Sequence, residues 1–198
     1  ESGYYEVYNQ DNVLLVDVRD APIERITPKG LKTSDAEYEF DVLIFATGFD
    51  AVTGAMNRLD IVGEGGQTLK DKFAGGPRTY MGISSAGFPN LFTISTASVG
   101  NFVRAAEPLV DWVSETMSYV RDNEFMRITA TVEAEDAWVN HVNEEGDKIL
   151  RTQANSWFVG ANIPGKARVL LTAPDTAPAM RAKRAEVAAN GYEGFILT

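Results

Sequence analysis

The longest apolar run in the chain is five residues, Val42-Leu43-Ile44-Phe45-Ala46, and it stops abruptly at Thr47-Gly48. Such a run is far too short to cross a bilayer, which takes about 20 residues. A continuous apolar block with β-branched residues, cut off by a turn signal, predicts a buried strand. Asn12 to Val18 has the same character and predicts another. Between the two, Pro22 to Thr27 alternates as a half-exposed strand does, Pro28-Lys29-Gly30 marks a turn, and Leu31 to Glu39 returns.

The remainder divides into a loop-rich stretch and a helical one. Gly54 to Gly87 carries Gly63, Gly65, Gly66, Gly75, Gly76 and Gly82, which predicts loops and short strands, and Pro89 to Ile94 predicts one more buried strand. Pro108 suits a first helical position, followed by Leu109, Val110, Val113, Met117 and Val120 at helical spacing. Thr131 predicts an N-cap, with Glu133, Glu135 and Asp136 in a solvated first turn and Ala134, Trp138, Val142 and Ile149 as the apolar stripe. Asn155 to Pro164 reads as strand and loop, and Ala179 to Ala189 as a helix closed by Asn190-Gly191. Strands followed by helices give the fold class α/β.

Composition removes several functions. The 198 residues suffice for one domain or two small ones, and 18 basic against 28 acidic residues leave a net charge of −10. That field repels nucleic-acid phosphates and anionic lipid, so neither nucleic acid nor membrane is an expected partner. With no cysteine there is no disulfide, thiolate chemistry or iron–sulfur cluster, and the single histidine, His141, argues against a metal site or a Ser-His-Asp triad. His141 reads as a surface residue. The start is acidic and aromatic rather than a leader, and it lacks an initiator Met. The reading is a soluble, cytoplasmic piece of a longer chain.

Two segments offer chemistry. Phe45-Ala46-Thr47-Gly48-Phe49-Asp50 places small residues and a glycine where a strand ends, so backbone can approach a ligand closely; a plain tight turn explains the spacing equally simply. Trp157 to Lys166 combines an indole N–H, two glycines and a cation suited to a phosphate, and a core tryptophan beside a Gly/Pro turn is its ordinary alternative. Gly63-Glu64-Gly65-Gly66 lacks the third glycine of a dinucleotide fingerprint, and no such fingerprint occurs elsewhere.

Taken together, the stretches Gly3 to Val13, Asp41 to Gly54, Gly87 to Thr93, Asn155 to Lys166 and Glu186 to Phe195 resemble the flavin-dependent Baeyer–Villiger monooxygenases, in order and from end to end. The resemblance implies part of a flavoprotein with two Rossmann-type dinucleotide-binding domains. Residues 1–46 would be the end of the NADPH domain and the crossing strand, and 47–198 the second half of the FAD domain. It implies FAD and NADPH as cofactors, a ketone and O2 as substrates, and ester or lactone formation through a C4a-peroxyflavin. Cofactor-binding positions carried over are Ala46, Thr47, Gly48, Asp50, Asn101, Phe102 and Trp157. No catalytic residue is carried over, because the family's arginine and both glycine fingerprints would lie upstream of Glu1. The isolated chain is therefore expected to be inert, needing the missing N-terminal half in cis or in trans. The segment from Ile94 to Asn101 is shorter than the family's loop, which leaves a non-catalytic remnant or a subunit of a split flavoprotein as the alternative. A related flavin monooxygenase oxidising N or S is the enzymatic one.

Overall fold

In the computed structural model, which describes residues 2–94 and 102–198, the chain divides into two compact units, Glu1–Thr47 and Gly48–Thr198. The first unit opens with a single helical turn, α1 (Tyr4–Val7), where Tyr4 meets Tyr5 and Tyr8 edge-on. Its centre is an antiparallel meander of β1 (Ile23–Thr27), β2 (Gly30–Thr33) and β3 (Glu37–Glu39). The predicted Pro28-Lys29 turn joins β1 to β2, with Thr27 opposite Gly30. A Cβ on Gly30 would lie 1.9 Å from the Tyr38 carbonyl oxygen, so close approach of β3 admits only glycine there. The predicted return strand is split at 34–36, where the buried Thr33 hydroxyl accepts from the Asp35 and Ala36 amides.

The two predicted buried strands at 12–18 and 42–46 are not strands here. Both segments run without ladder partners among the described residues, and Leu14, Leu15, Val42, Ile44 and Phe45 are each at least 70% exposed. The physical reason is that a buried strand owes its burial to neighbours on its edges and cover on its faces. The described residues supply neither.

The second unit is built on a small gly-rich region and three helices. A short turn α2 (Leu69–Lys72), capped by the Thr68 hydroxyl, packs Leu69 against Phe73 and Phe88 as a minor core. The long helix α3 (Phe102–Asp122) begins six residues before Pro108, not at it. Proline removes the bond to the carbonyl four residues back, and the rest of a 21-residue helix packed through Leu109 and Trp112 outweighs that loss. β4 (Ile128–Ala130) leads into α4 (Val132–Gly146), whose N-cap Thr131 accepts from the Ala134 amide as expected. The last helix, α5 (Ala177–Ala189), closes with Gly191 at φ 67° and Tyr192 N–H donating to Val187 C=O, and β5 (Phe195–Leu197) pairs antiparallel with β4.

The main core gathers Tyr80, Met81, Ile83, Leu109, Trp112, Ile128, Val187 and Tyr192. The Trp112 indole donates to the Arg184 carbonyl, which pins α3 to α5. Every strand pair among the described residues is antiparallel, and Pro89 to Ile94 contributes only a single bridge, Ser84 to Phe92. Glu135 departs from the solvated first turn expected of it. It is 1% exposed, with its carboxylate 2.9 Å from Lys72 Nζ and 3.2 Å from Arg78 Nε. Glu133 and Asp136 remain exposed.

Candidate functional site

The segment after residue 45 has no regular secondary structure and takes a left-handed turn at Gly48. Ala46 and Thr47 are exposed, and Gly48 has φ 82°, a left-handed conformation that favours glycine. Phe49 is exposed, and the chain then folds tightly on itself from Asp50 to Gly54. A Cβ on Gly54 would sit 2.3 Å from the Asp50 carbonyl oxygen and 2.5 Å from its Cγ, so the tightness of that turn depends on a bare glycine.

The Trp157 segment is a 3-10 turn, Trp157–Val159, ended by Gly160 at φ 70°, and not the strand its composition suggested. Short 3-10 turns satisfy a few backbone groups locally where a ladder has no partner strand to join. Val159 is buried and anchors the turn; Trp157 is 43% exposed and stacks on Phe158 with ring centroids 3.8 Å apart. Arg151 lies over the other ring of that stack, 4.4 Å from the Phe158 centroid.

The two segments meet through side chains. Asn162 Nδ2 donates to the Phe49 carbonyl at 2.9 Å. Lys166 Nζ donates to Asp50 Oδ1 and, at 3.0 Å, to the Ala51 carbonyl. A cavity of about 230 Å³ lies beside this junction, lined by Asp50, Thr53, Asn57, Gly165 and Lys166 among others. Lys166 is thus bound to Asp50 rather than presented to a phosphate. Phe102, exposed, is the first residue of α3, and Asn101 lies outside the described residues, as does most of the 94–101 segment expected to be shorter than the family's loop.

A larger groove of about 630 Å³ is lined by Tyr80, Trp138, His141, Asp175, Met180 and Lys183 among others, none of them a cofactor-binding position expected from the sequence. His141 Nε2 stands 3.0 and 3.1 Å from the two Asp175 carboxylate oxygens, so the lone histidine is a half-buried partner of an acid on the wall of that groove. Among the described residues no group of three or more His, Asp or Glu could hold a metal ion, and no helix is long and apolar enough to cross a membrane.

No protein-family model matches the chain. Full-length comparison gives a different result. The chain is 43% identical over 201 residues to cyclopentanone 1,2-monooxygenase of Comamonas sp., covering 100% of itself and 36% of that protein. It is 42% identical over 173 residues to a Baeyer–Villiger monooxygenase of Pseudooceanicola batsensis, covering 86% of itself and 32% of that protein. It is also 38% identical over 199 residues to a phenazine N-monooxygenase of Lysobacter antibioticus, covering 99% of itself and 37% of that protein. Among solved structures, cyclohexanone monooxygenase in a closed crystal form superposes with a TM-score of 0.93 at 42% identity, over 100% of this chain and 38% of that one. The chain is a Baeyer–Villiger monooxygenase homologue. It also superposes on OTEMO crystallised with FAD and NADP, with a TM-score of 0.88 at 41% identity, over 100% of this chain and 37% of that one. This Baeyer–Villiger homologue therefore spans little more than a third of the length of the relatives it matches, and its mixed α/β structure is a portion of that flavoprotein fold.

What sequence reasoning missed in this homologue is the junction itself. Asn162 and Lys166 lie within the segment singled out for Trp157, but their partners are 113 and 116 residues away, a separation that leaves no local pattern to read.

Proposed function

We propose that this chain is the C-terminal segment of an FAD- and NADPH-dependent Baeyer–Villiger monooxygenase that oxidises ketones to esters or lactones. The single observation that carries the reading is the superposition of the whole chain, at a TM-score of 0.93 and 42% identity, on part of cyclohexanone monooxygenase. The residues present fit the edge of a dinucleotide cofactor. Gly48 offers bare backbone at a turn, and Trp157 offers a half-exposed indole whose N–H has no partner among the described residues. Of the cations beside these two segments, Lys166 is held by Asp50, and Arg151 lies over the Phe158 ring that stacks on Trp157.

In this reading Ala46, Thr47, Gly48 and Asp50 line the path of the cofactors, Asn101 and Phe102 pass the flavin ring, and Trp157 donates to the nicotinamide ribose. Residues 1–46 end the NADPH domain and 47–198 complete the FAD domain. When bound, FAD and NADPH supply the redox chemistry with O2, and this chain holds and orients them. The remaining part of the protein is required, joined in cis or supplied in trans. The same reading places the protein in the cytoplasm, where reduced nicotinamide cofactor is regenerated. The N-oxidising relative marks the second reading, oxidation at a heteroatom.

The test uses the intact protein carrying this chain, supplied with NADPH, O2 and either a cyclic ketone or an aromatic N-heterocycle. Lactone formation is expected, and N-oxide without lactone would replace the first reading with the second. In the same assay Trp157→Ala is expected to weaken NADP+ retention and divert reducing equivalents to H2O2. Unchanged retention and coupling would remove Trp157 from the cofactor site.

A further inference from the structure

Two sequence-distant turns in the second unit are tied together at three points, and the local sequence on both sides is shaped to permit it. On one side, Gly48 turns at φ 82° and Gly54 leaves room for the Asp50 carboxyl and carbonyl, which any Cβ at 54 would strike. On the other, Gly160 turns at φ 70°, and a Cβ there would meet Lys166 Cγ and Cδ at 3.3 Å and the Ala167 carbonyl oxygen at 3.0 Å. Glycine at 160 therefore lets the lysine stem lie across the turn. Asn162 and Lys166, four residues apart with Pro164-Gly165 between them, then reach successive groups of the opposite turn: the Phe49 carbonyl, the Asp50 carboxylate and the Ala51 carbonyl. The ion pair is sheltered, its side chains 14% and 33% exposed, so water competes with it less than with a surface pair.

We propose that Lys166 and Asp50 are positioning residues, a clamp that holds the Trp157 turn in fixed register on the turn following Gly48, and that Lys166 is not a phosphate ligand. Only the eight residues Phe158 to Gly165 separate Trp157 from Lys166, so the anchored end is close in sequence to the indole that the clamp orients. The functional consequence rests on the reading of Trp157 as a nicotinamide-side donor, whereas the clamp itself rests on the geometry alone.

The experiment compares Lys166→Met, Asp50→Asn, the double variant and Lys166→Arg in the intact protein. It reads NADP+ retention, the ratio of H2O2 to oxygenated product, and hydrogen exchange of the 49–54 and 157–166 amides. A clamp predicts that both single variants act in the same direction, with NADP+ retention weakened roughly tenfold or more through misplacement alone. The double variant should be no worse than the worse single, because the two remove one shared interaction. Exchange should rise in both segments and not in the β4–β5 pair, and Lys166→Arg, which keeps the charge, should recover part of each effect. If Lys166 instead held a phosphate, Lys166→Met would weaken retention while Asp50→Asn, by freeing the lysine, would leave it unchanged or strengthen it. That outcome overturns the proposal, as does unchanged exchange in both segments. If the parent protein neither retains NADP+ nor oxygenates any substrate, the functional reading fails, and the exchange data still decide whether the clamp exists.

Discussion

Glu135 carries more of the second unit than its place in a helix's first turn suggests. Its two carboxylate oxygens accept from Lys72, Arg78 and the Ala86 amide, joining α4 to the short α2 and to the loop before Phe88. The carboxylate is 1% exposed and Lys72 10%, so removing one partner strands a charge away from water. Glu135→Ala is expected to lower stability by about 3–5 kcal/mol, seen as a fall in the urea midpoint. Adding Lys72→Met should recover part of that loss, since the double change no longer leaves an unmatched cation. A loss below about 1 kcal/mol would make the cluster no different from a surface pair. None of this is legible locally. Three acids after a threonine cap read as a solvated turn favourable to the helix dipole, and the Arg78 partner that overrides the reading lies 57 residues away.

Elements whose ends carry their own chemistry are read well from sequence, and elements defined by their neighbours are not. The Thr131 cap, the Asn190-Gly191 stop and the Pro28-Lys29 turn all act through groups within a few residues. The segments at 12–18 and 42–46 have strand composition, yet strandhood depends on partners that the described residues do not provide. Trp157 to Gly160 fails as a strand for the same reason and becomes a 3-10 turn. The meander of the first unit gives a direct test of an element set by a close approach. Gly30→Ala would push a methyl into the Tyr38 carbonyl, which has no flexible side chain to yield. The expected cost is roughly 1–3 kcal/mol, as for other overpacked positions, with β3 amides losing exchange protection before those of β4 and β5. Equal protection in the variant and parent would mean that β2 and β3 can separate without loss.

On the scale of the whole molecule, the chain matches about 38% of the length of the solved cyclohexanone monooxygenase and exposes apolar side chains in the two segments that lack strand partners. In the first unit Leu14, Leu15, Val42, Ile44 and Phe45 are each at least 70% exposed, and in the second Phe49 is 85% exposed, a high share of large apolar side chains in contact with water. Residues 1–198 produced alone are expected to bind a hydrophobic dye strongly and, after incubation with FAD and desalting, to retain no flavin. Stoichiometric flavin in the protein fraction would show that this portion builds a cofactor site unaided and would overturn the requirement for the rest of the protein. The Gly48 and Trp157 segments were singled out as candidates only through their resemblance to the family, since locally a plain turn and a core tryptophan explain them as simply; the Asn162 and Lys166 bridges left no sequence signal, since only folding brings their partners near. Of the three tryptophans in these 198 residues, Trp112 is buried in the main core, Trp138 is half-buried beside His141, and Trp157, at 43%, is the most exposed. In residues 1–198 produced alone, emission from the red edge of the indole band, and whatever acrylamide quenches first, is expected to come chiefly from the one residue next to the clamp. The molecule carries its own optical probe of that turn, and nothing need be attached to watch it.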